Sequence, residues 1–194
     1  MIGREEALAF LNETIANKNI VKHLIATESL MGAIYDFLAG RGETDLGIKE
    51  EWKLAGLLHD GDYLESVPVE KQGMMVSEIL TKKGFPLPET VKHTMAAHNF
   101  HNNKVEPKSK MDWALFCGDC LTGLIVASTL VLPTRKLSDL TPENVLNRFS
   151  EKRFAAGTRR EDIALCEEKL GIILPEFVKI GVEALKKVSK ELEL

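Results

Sequence analysis

The chain has 194 residues, enough for one well-buried domain. Hydrophobic residues make up 44% and charged residues 28%, which excludes a disordered or fibrous chain and reads as an ordinary globular protein. A formal net charge of −4 provides no general attraction to nucleic-acid polymers or anionic membranes, so a phosphate-handling site needs local cations or a metal.

Periodicity is helical almost throughout, with no run of alternating apolar and polar residues to make a strand, so the expected class is all-α. Ala7, Leu8, Leu11 and Ile15 predict a first helix over Arg4–Ala16. A second spans about Asn19–Leu38, before Gly40-Arg41-Gly42, and its polar stripe is narrow (Lys22, Ser29, Asp36). A third covers Lys49–His59 and stops at Gly61. A fourth follows Pro68 to about Lys83, where Gly84 suits a left-handed cap. Pro88 opens a fifth that reaches about His98, and the polar segment Asn99–Ser109 is expected as a loop.

Lys110–Val131 predicts the longest apolar helix. Between Trp113 and Pro133 it has roughly the length of a membrane span and a single charge, Asp119. Gly118, Thr122, Gly123, Ser128 and Thr129 dilute it and no second span accompanies it, so it reads as a core helix and no membrane partner is expected. Thr141-Pro142 caps and starts a short helix, Thr158-Arg159-Arg160-Glu161 reads as a capping box, and an amphipathic helix follows Pro175. The organisation expected is a helical core over 1–134 with a C-terminal helical extension over 135–194 packed on it.

Three cysteines, Cys117, Cys120 and Cys166, are an odd count without the density of a disulfide scaffold. Met1–Phe10 carries Arg4, Glu5 and Glu6 where a secretory leader is apolar, so a reducing cytoplasm is expected.

Chemistry concentrates at four positions. His59-Asp60 ends an apolar helix containing Leu54, Ala55, Leu57 and Leu58. His23 lies off the polar stripe of its helix, and Asp119 lies in the least polar helix of all, where an isolated carboxylate is costly. Three helices thus each place a metal-capable group among apolar residues, the way helical bundles build metal sites. Two His and two Asp suit Mn, Fe, Co, Ni or Zn better than Ca. Such a site lowers the pKa of bound water toward about 7 and polarises a phosphoryl oxygen.

The order His23, His59-Asp60, Asp119, with Leu-Ala-Gly-Leu-Leu-His-Asp at 54–60, resembles the HD-domain metal-dependent phosphohydrolase superfamily, and within it small bacterial HD-domain proteins. Stretches at Ala97-His98-Asn99, Leu121–Ala127 and Phe154-Ala155-Ala156-Gly157 extend the resemblance over nearly the whole chain. It implies an α-helical HD fold with His23, His59, Asp60 and Asp119 as metal ligands. It implies no substrate, because the superfamily includes nucleotidases, phosphodiesterases, tRNA-processing enzymes and oxygenases. Where many binuclear members carry an extra histidine this chain has Gln72, a poor transition-metal ligand, while His98 matches another. One tightly held divalent metal is therefore expected, with a second weak or absent.

The expected activity is hydrolysis of a small, nucleotide-like phosphate ester by metal-activated water, with Asp60, Asp62 and His98 as catalytic groups. The alternative is a non-catalytic metal- or nucleotide-binding regulatory domain. His93 and His101 read as surface residues, and the Cys117–Cys120 spacing lacks a second pair to complete a zinc site. Glu28 falls in an apolar stripe, as an orienting partner of a ligand histidine or as an internal ion pair. Lys22, Lys152, Arg153, Arg159 and Arg160 are candidate phosphate anchors, none singled out.

Overall fold

Apolar residues at three- and four-residue spacing fold into helices along the whole chain, and among the described residues, 2–194 of a computed structural model, there is no strand. The helices are α1 (Arg4–Thr14), α2 (Lys18–Gly40), α3 (Lys49–Leu58), α4 (Met75–Lys82), α5 (Glu89–His98), α6 (Phe100–Asn103) and α7 (Lys110–Leu130). They continue with α8 (Pro142–Ser150), α9 (Arg160–Ala164), α10 (Cys166–Leu170), α11 (Leu174–Lys187) and α12 (Ser189–Leu192). Short 3-10 turns occupy Val69–Lys71 and Leu137–Asp139.

The centre is α7. Ser109 caps it by accepting from the Asp112 N–H, and Asp112 returns the bond to the Ser109 N–H. Although α7 is long and apolar enough to cross a membrane, α2, α5, α9, α10 and α11 surround it. Ala114, Leu115, Cys117, Leu121, Leu124 and Ile125 are fully buried there. Each large side chain so buried stabilises the fold by about 1.5–3 kcal/mol. Its mixed apolar circumference is thus the signature of a core helix.

Two close approaches fix the neighbours of α7. A Cβ on Gly56 of α3 would lie 2.8 Å from the Thr27 carbonyl oxygen of α2, so only glycine lets these backbones meet. On the other side a Cβ on Gly181 of α11 would lie 2.7 Å from Ile125. Phe177, Val178, Val182 and Leu185 of α11 therefore reach the same apolar core as Leu24, Leu30 and Leu58. Helices α8 to α11 pack onto α7, and α11 and α12 also reach α2.

Three expectations differ from the observed elements. The helix expected right after Pro68 starts only at Met75, because Gly73 takes a left-handed φ of 81°. The segment Asn99–Ser109 is not all loop: Phe100–Asn103 forms one helical turn, tied down by Asn102 Nδ2 to Asn99 Oδ1 and Asn103 Nδ2 to the Ala96 carbonyl. Thr158 does not cap the following helix. Arg159 occupies the cap position without a side-chain cap bond, and the helix breaks at Leu165 into α9 and α10.

Candidate metal centre

His23 projects from α2, one turn before the Thr27–Gly56 crossing, and His59 caps α3 one turn after it. The close crossing therefore presses the two imidazoles together, with Nε2 atoms 3.2 Å apart and the rings edge to face. Asp60 follows at the end of α3, and His98 from the end of α5 places Nε2 3.3 Å from Asp60 Oδ1. Asp119 of α7 closes the cluster, with Oδ1 3.0 Å from His23 Nε2 and 3.6 Å from His59 Nε2. The four expected ligands come together from three helices, and donor atoms of His23, His59 and Asp60 lie within 4.8 Å of one another.

The far side of each ring is tethered. His59 Nδ1 lies 2.8 Å from the Gly56 carbonyl and His98 Nδ1 sits against the Met95 carbonyl. Carbonyls only accept, so both Nδ1 atoms carry a proton, and in the neutral rings both Nε2 atoms present lone pairs. Thr122 completes the pattern: its hydroxyl donates to the Asp119 carbonyl at 2.8 Å and so accepts from His23 Nδ1 at 3.1 Å. Three Nε2 lone pairs and two carboxylates then face one small volume. Acceptors at 3.0–3.6 Å repel unless a cation lies between them. Tethering of the non-ligating ring nitrogen is also how metal-binding histidines are oriented.

A proton meets part of that demand. Burial works against imidazolium at His23, but the hydrogen bond and charge of Asp119, then of Asp60, outweigh it and raise its pKa above 6.5. His98 is raised likewise against burial, by its hydrogen bond to Asp60 and by the charges of Asp60 and Asp119. Burial pushes Asp119 upward, yet bonds from His23 and His59 hold it well below the usual carboxylate range. Asp60 also lies low, against burial, through His59 and His98. Solvent reaches the cluster over His23, Asp60 and Asp119, each about 22–25% exposed, whereas His59 is sealed beneath them.

Asp62 does not share this role. It is buried, and its two oxygens accept the backbone N–H groups of Gly73 and Val76, each at 2.9 Å. Burial raises its pKa and those two bonds partly offset the rise. Its carboxylate shapes the loop ahead of α4, which packs Gly73 so closely that a Cβ would lie 2.3 Å from the Met95 carbonyl and 2.9 Å from His98. Asp62 thus supports His98 through the loop. Gln72 lines a separate cleft with Ile20, Tyr63 and Val69.

Glu28 resolves to the ion-pair reading: both its oxygens accept from Arg4 Nε at 2.8 and 2.9 Å. His93 pairs with Asp112 at 3.0 Å, away from the cluster. The cysteines are free. Burial raises the thiol pKa of Cys117 above its usual range and pushes those of Cys120 and Cys166 to about 12, which leaves them unreactive at neutral pH.

Among the basic candidates, Arg159 stands apart. Its Nε donates to Asp162 at 2.6 Å, and His101 Nε2 donates to the same buried carboxylate at 3.0 Å. The His101 ring packs on Phe116, one turn before Asp119 on α7. The backbone N–H of Arg159 meets the Cys120 thiol, and its guanidinium pKa, lowered by burial, is raised overall by Asp162, Cys120 and Asp119. Arg160 holds this loop in place by donating to the carbonyls of Arg148, Phe149, Glu151, Phe154 and Thr158. Lys152 and Arg153 are exposed, and Lys22 pairs with Glu193. His101 and Asp162, which hold Arg159, carried no signal in the sequence beyond their residue type.

Comparison with family models, with curated proteins and with solved structures finds no match.

Proposed function

We propose that the chain is a metal-dependent phosphohydrolase of the HD-domain type acting on a small phosphate ester. The observation that carries the reading is the convergence of three imidazoles, each tethered through Nδ1, and two carboxylates on one small volume, an arrangement that suits a bound cation. The donor set favours one divalent transition metal (Mn, Fe, Co, Ni or Zn) held by His23, His59, Asp60 and Asp119. A divalent ion bound there supplies Lewis acidity and a water of lowered pKa. The open side between His23, Asp60 and Asp119 admits a phosphate, and Arg159, which precedes α9 and meets Cys120 of α7 through its backbone N–H, binds the phosphate oxygens through its two terminal nitrogens. His98 Nε2, against Asp60 Oδ1, holds or returns a proton at that edge of the site. With Asp62 committed to backbone N–H groups, His98 is the group left for proton transfer.

That scarcity of proton-transfer groups favours one competing reading, a regulatory domain that binds metal and nucleotide without turnover. The net charge of −4 argues against a nucleic-acid polymer as partner, and three free cysteines suit a reducing cytoplasm. The deciding experiment measures metal per chain, with release of 4-nitrophenol from its phosphate mono- and diester under Mn, Co, Ni, Zn and Mg, in wild type and Asp60→Ala. About one bound metal and metal-stimulated release, both lost in a folded Asp60→Ala, is the result expected. Saturable nucleotide binding without turnover under any metal supports the regulatory domain. No bound metal after reconstitution removes both readings.

A further inference from the structure

Beside the metal cluster, and sharing His23 with it, lies a cavity of about 480 Å³, in the range of small-molecule sites. Its floor is the face of α7 that carries Asp119. Gly123, Val126, Ala127 and Leu130 follow Asp119 at intervals of 4, 7, 8 and 11 residues, the spacing of one helical face. All four are exposed or half-buried, while Leu121, Leu124, Ile125 and Ser128 between them are buried. The most apolar helix of the chain thus leaves one face uncovered, and that face begins at the metal cluster. Opposite it stands Leu192 of α12, and Asn19 and the Lys22–Glu193 ion pair form the rim.

We propose that this cavity seats the organic group of the ester and that this group is an uncharged aryl ring. Gly123 and Ala127 stack one turn apart with almost no side chain between them, so the floor is flat where it leaves His23. A flat ring gains more contact there than a branched or flexible chain, and loses little conformational entropy. A Cβ on Gly123 meets nothing within 4 Å, so the space above it is open. The rim charges of Lys22 and Glu193 are spent on each other, so neither favours a charged substituent. The phosphate end of this placement rests on the phosphohydrolase reading above; the cavity itself does not.

The test compares phenylphosphonate with methylphosphonate by calorimetry on the Mn-loaded protein, in wild type and Gly123→Leu. Leucine fits the helix better than glycine and projects into the open space, so the variant folds while its floor is filled. Phenylphosphonate is expected to bind wild type at least about tenfold more tightly, about 1.4 kcal/mol, and Gly123→Leu to bring the ratio toward one. Phenol, followed by the methyl resonances of Val126 and Ala127, probes the cavity without a phosphate. Shifts in wild type that vanish in Gly123→Leu uphold the cavity even if neither phosphonate binds, in which case the phosphate reading falls alone. Equal phosphonate affinities with unshifted methyls overturn the cavity and leave the phosphate reading standing.

Discussion

Thr122→Val tests whether the cluster is a tethered metal site or a chance meeting of polar groups. The substitution keeps shape and branching inside a fully buried position. It removes only the hydroxyl that accepts from His23 Nδ1 at 3.1 Å and donates to the Asp119 carbonyl at 2.8 Å. Without metal, the freed His23 N–H loses its partner, a cost of about 1–3 kcal/mol for a buried donor. His23 is a quarter exposed, so the lower end applies, and the melting temperature falls by about 2–4 °C for a chain of this size. With metal the effect is larger, because His23 then turns more freely and its Nε2 is less basic. Loss of such an orienting partner weakens metal binding by about 10–100-fold, or about 1.4–2.8 kcal/mol. Calorimetric titration of Zn or Mn into metal-free protein measures this directly, and Thr122→Ser, which restores the hydroxyl, should recover most of it. Unchanged metal affinity in Thr122→Val would refute the tether, and with it the inference that the His23 and His59 lone pairs are aimed at one ion.

Asp62→Ala removes the acceptor for the Gly73 and Val76 N–H groups, and urea unfolding should show a loss on the order of 2–5 kcal/mol. A variant of wild-type stability that had lost hydrolysis would return Asp62 to the chemistry. Gly56→Ala gains about 1 kcal/mol of helix propensity, yet its Cβ meets the Thr27 carbonyl oxygen at 2.8 Å, and overpacking of about 1–3 kcal/mol should win. Lower thermal stability together with lower metal content is expected, since His59 hangs from that turn; a more stable, fully loaded variant contradicts the crossing as the device that sets the site. Because the His23 pKa is raised, its contribution to metal-free stability is complete below 6.5 and is lost as pH rises through the shifted value. Metal binding displaces that proton, so affinity should climb with pH up to the shifted value and level off beyond it, and calorimetry in two buffers of different ionisation heat should register proton release. Absence of release near pH 6.5 would show that His23 is not a ligand.

Much of this protein was legible before its structure. Helical periodicity set the class, and His23, His59-Asp60 and Asp119 stood out as polar groups on apolar faces, a local property that sequence displays directly. The structure brings those four together. The element boundaries that differed did so at tertiary contacts: the start of α4 depends on the Asp62 carboxylate, eleven residues from the Gly73 N–H it receives. Asp62 itself looked like a candidate base because its position beside His59-Asp60 was visible, whereas its two backbone partners were not.

What sequence by itself determined was which residues are costly to bury and which helical face each occupies, because both follow from side-chain chemistry and a period of 3.6 residues. What only the tertiary structure decided was where those groups point and what holds them. The aim of each imidazole depends on the Gly56 and Met95 carbonyls and on Thr122 from another helix, and the placement of Arg159 depends on His101 and Asp162. These are hydrogen bonds between atoms brought together only when the core packs, so no local pattern of residues encodes them.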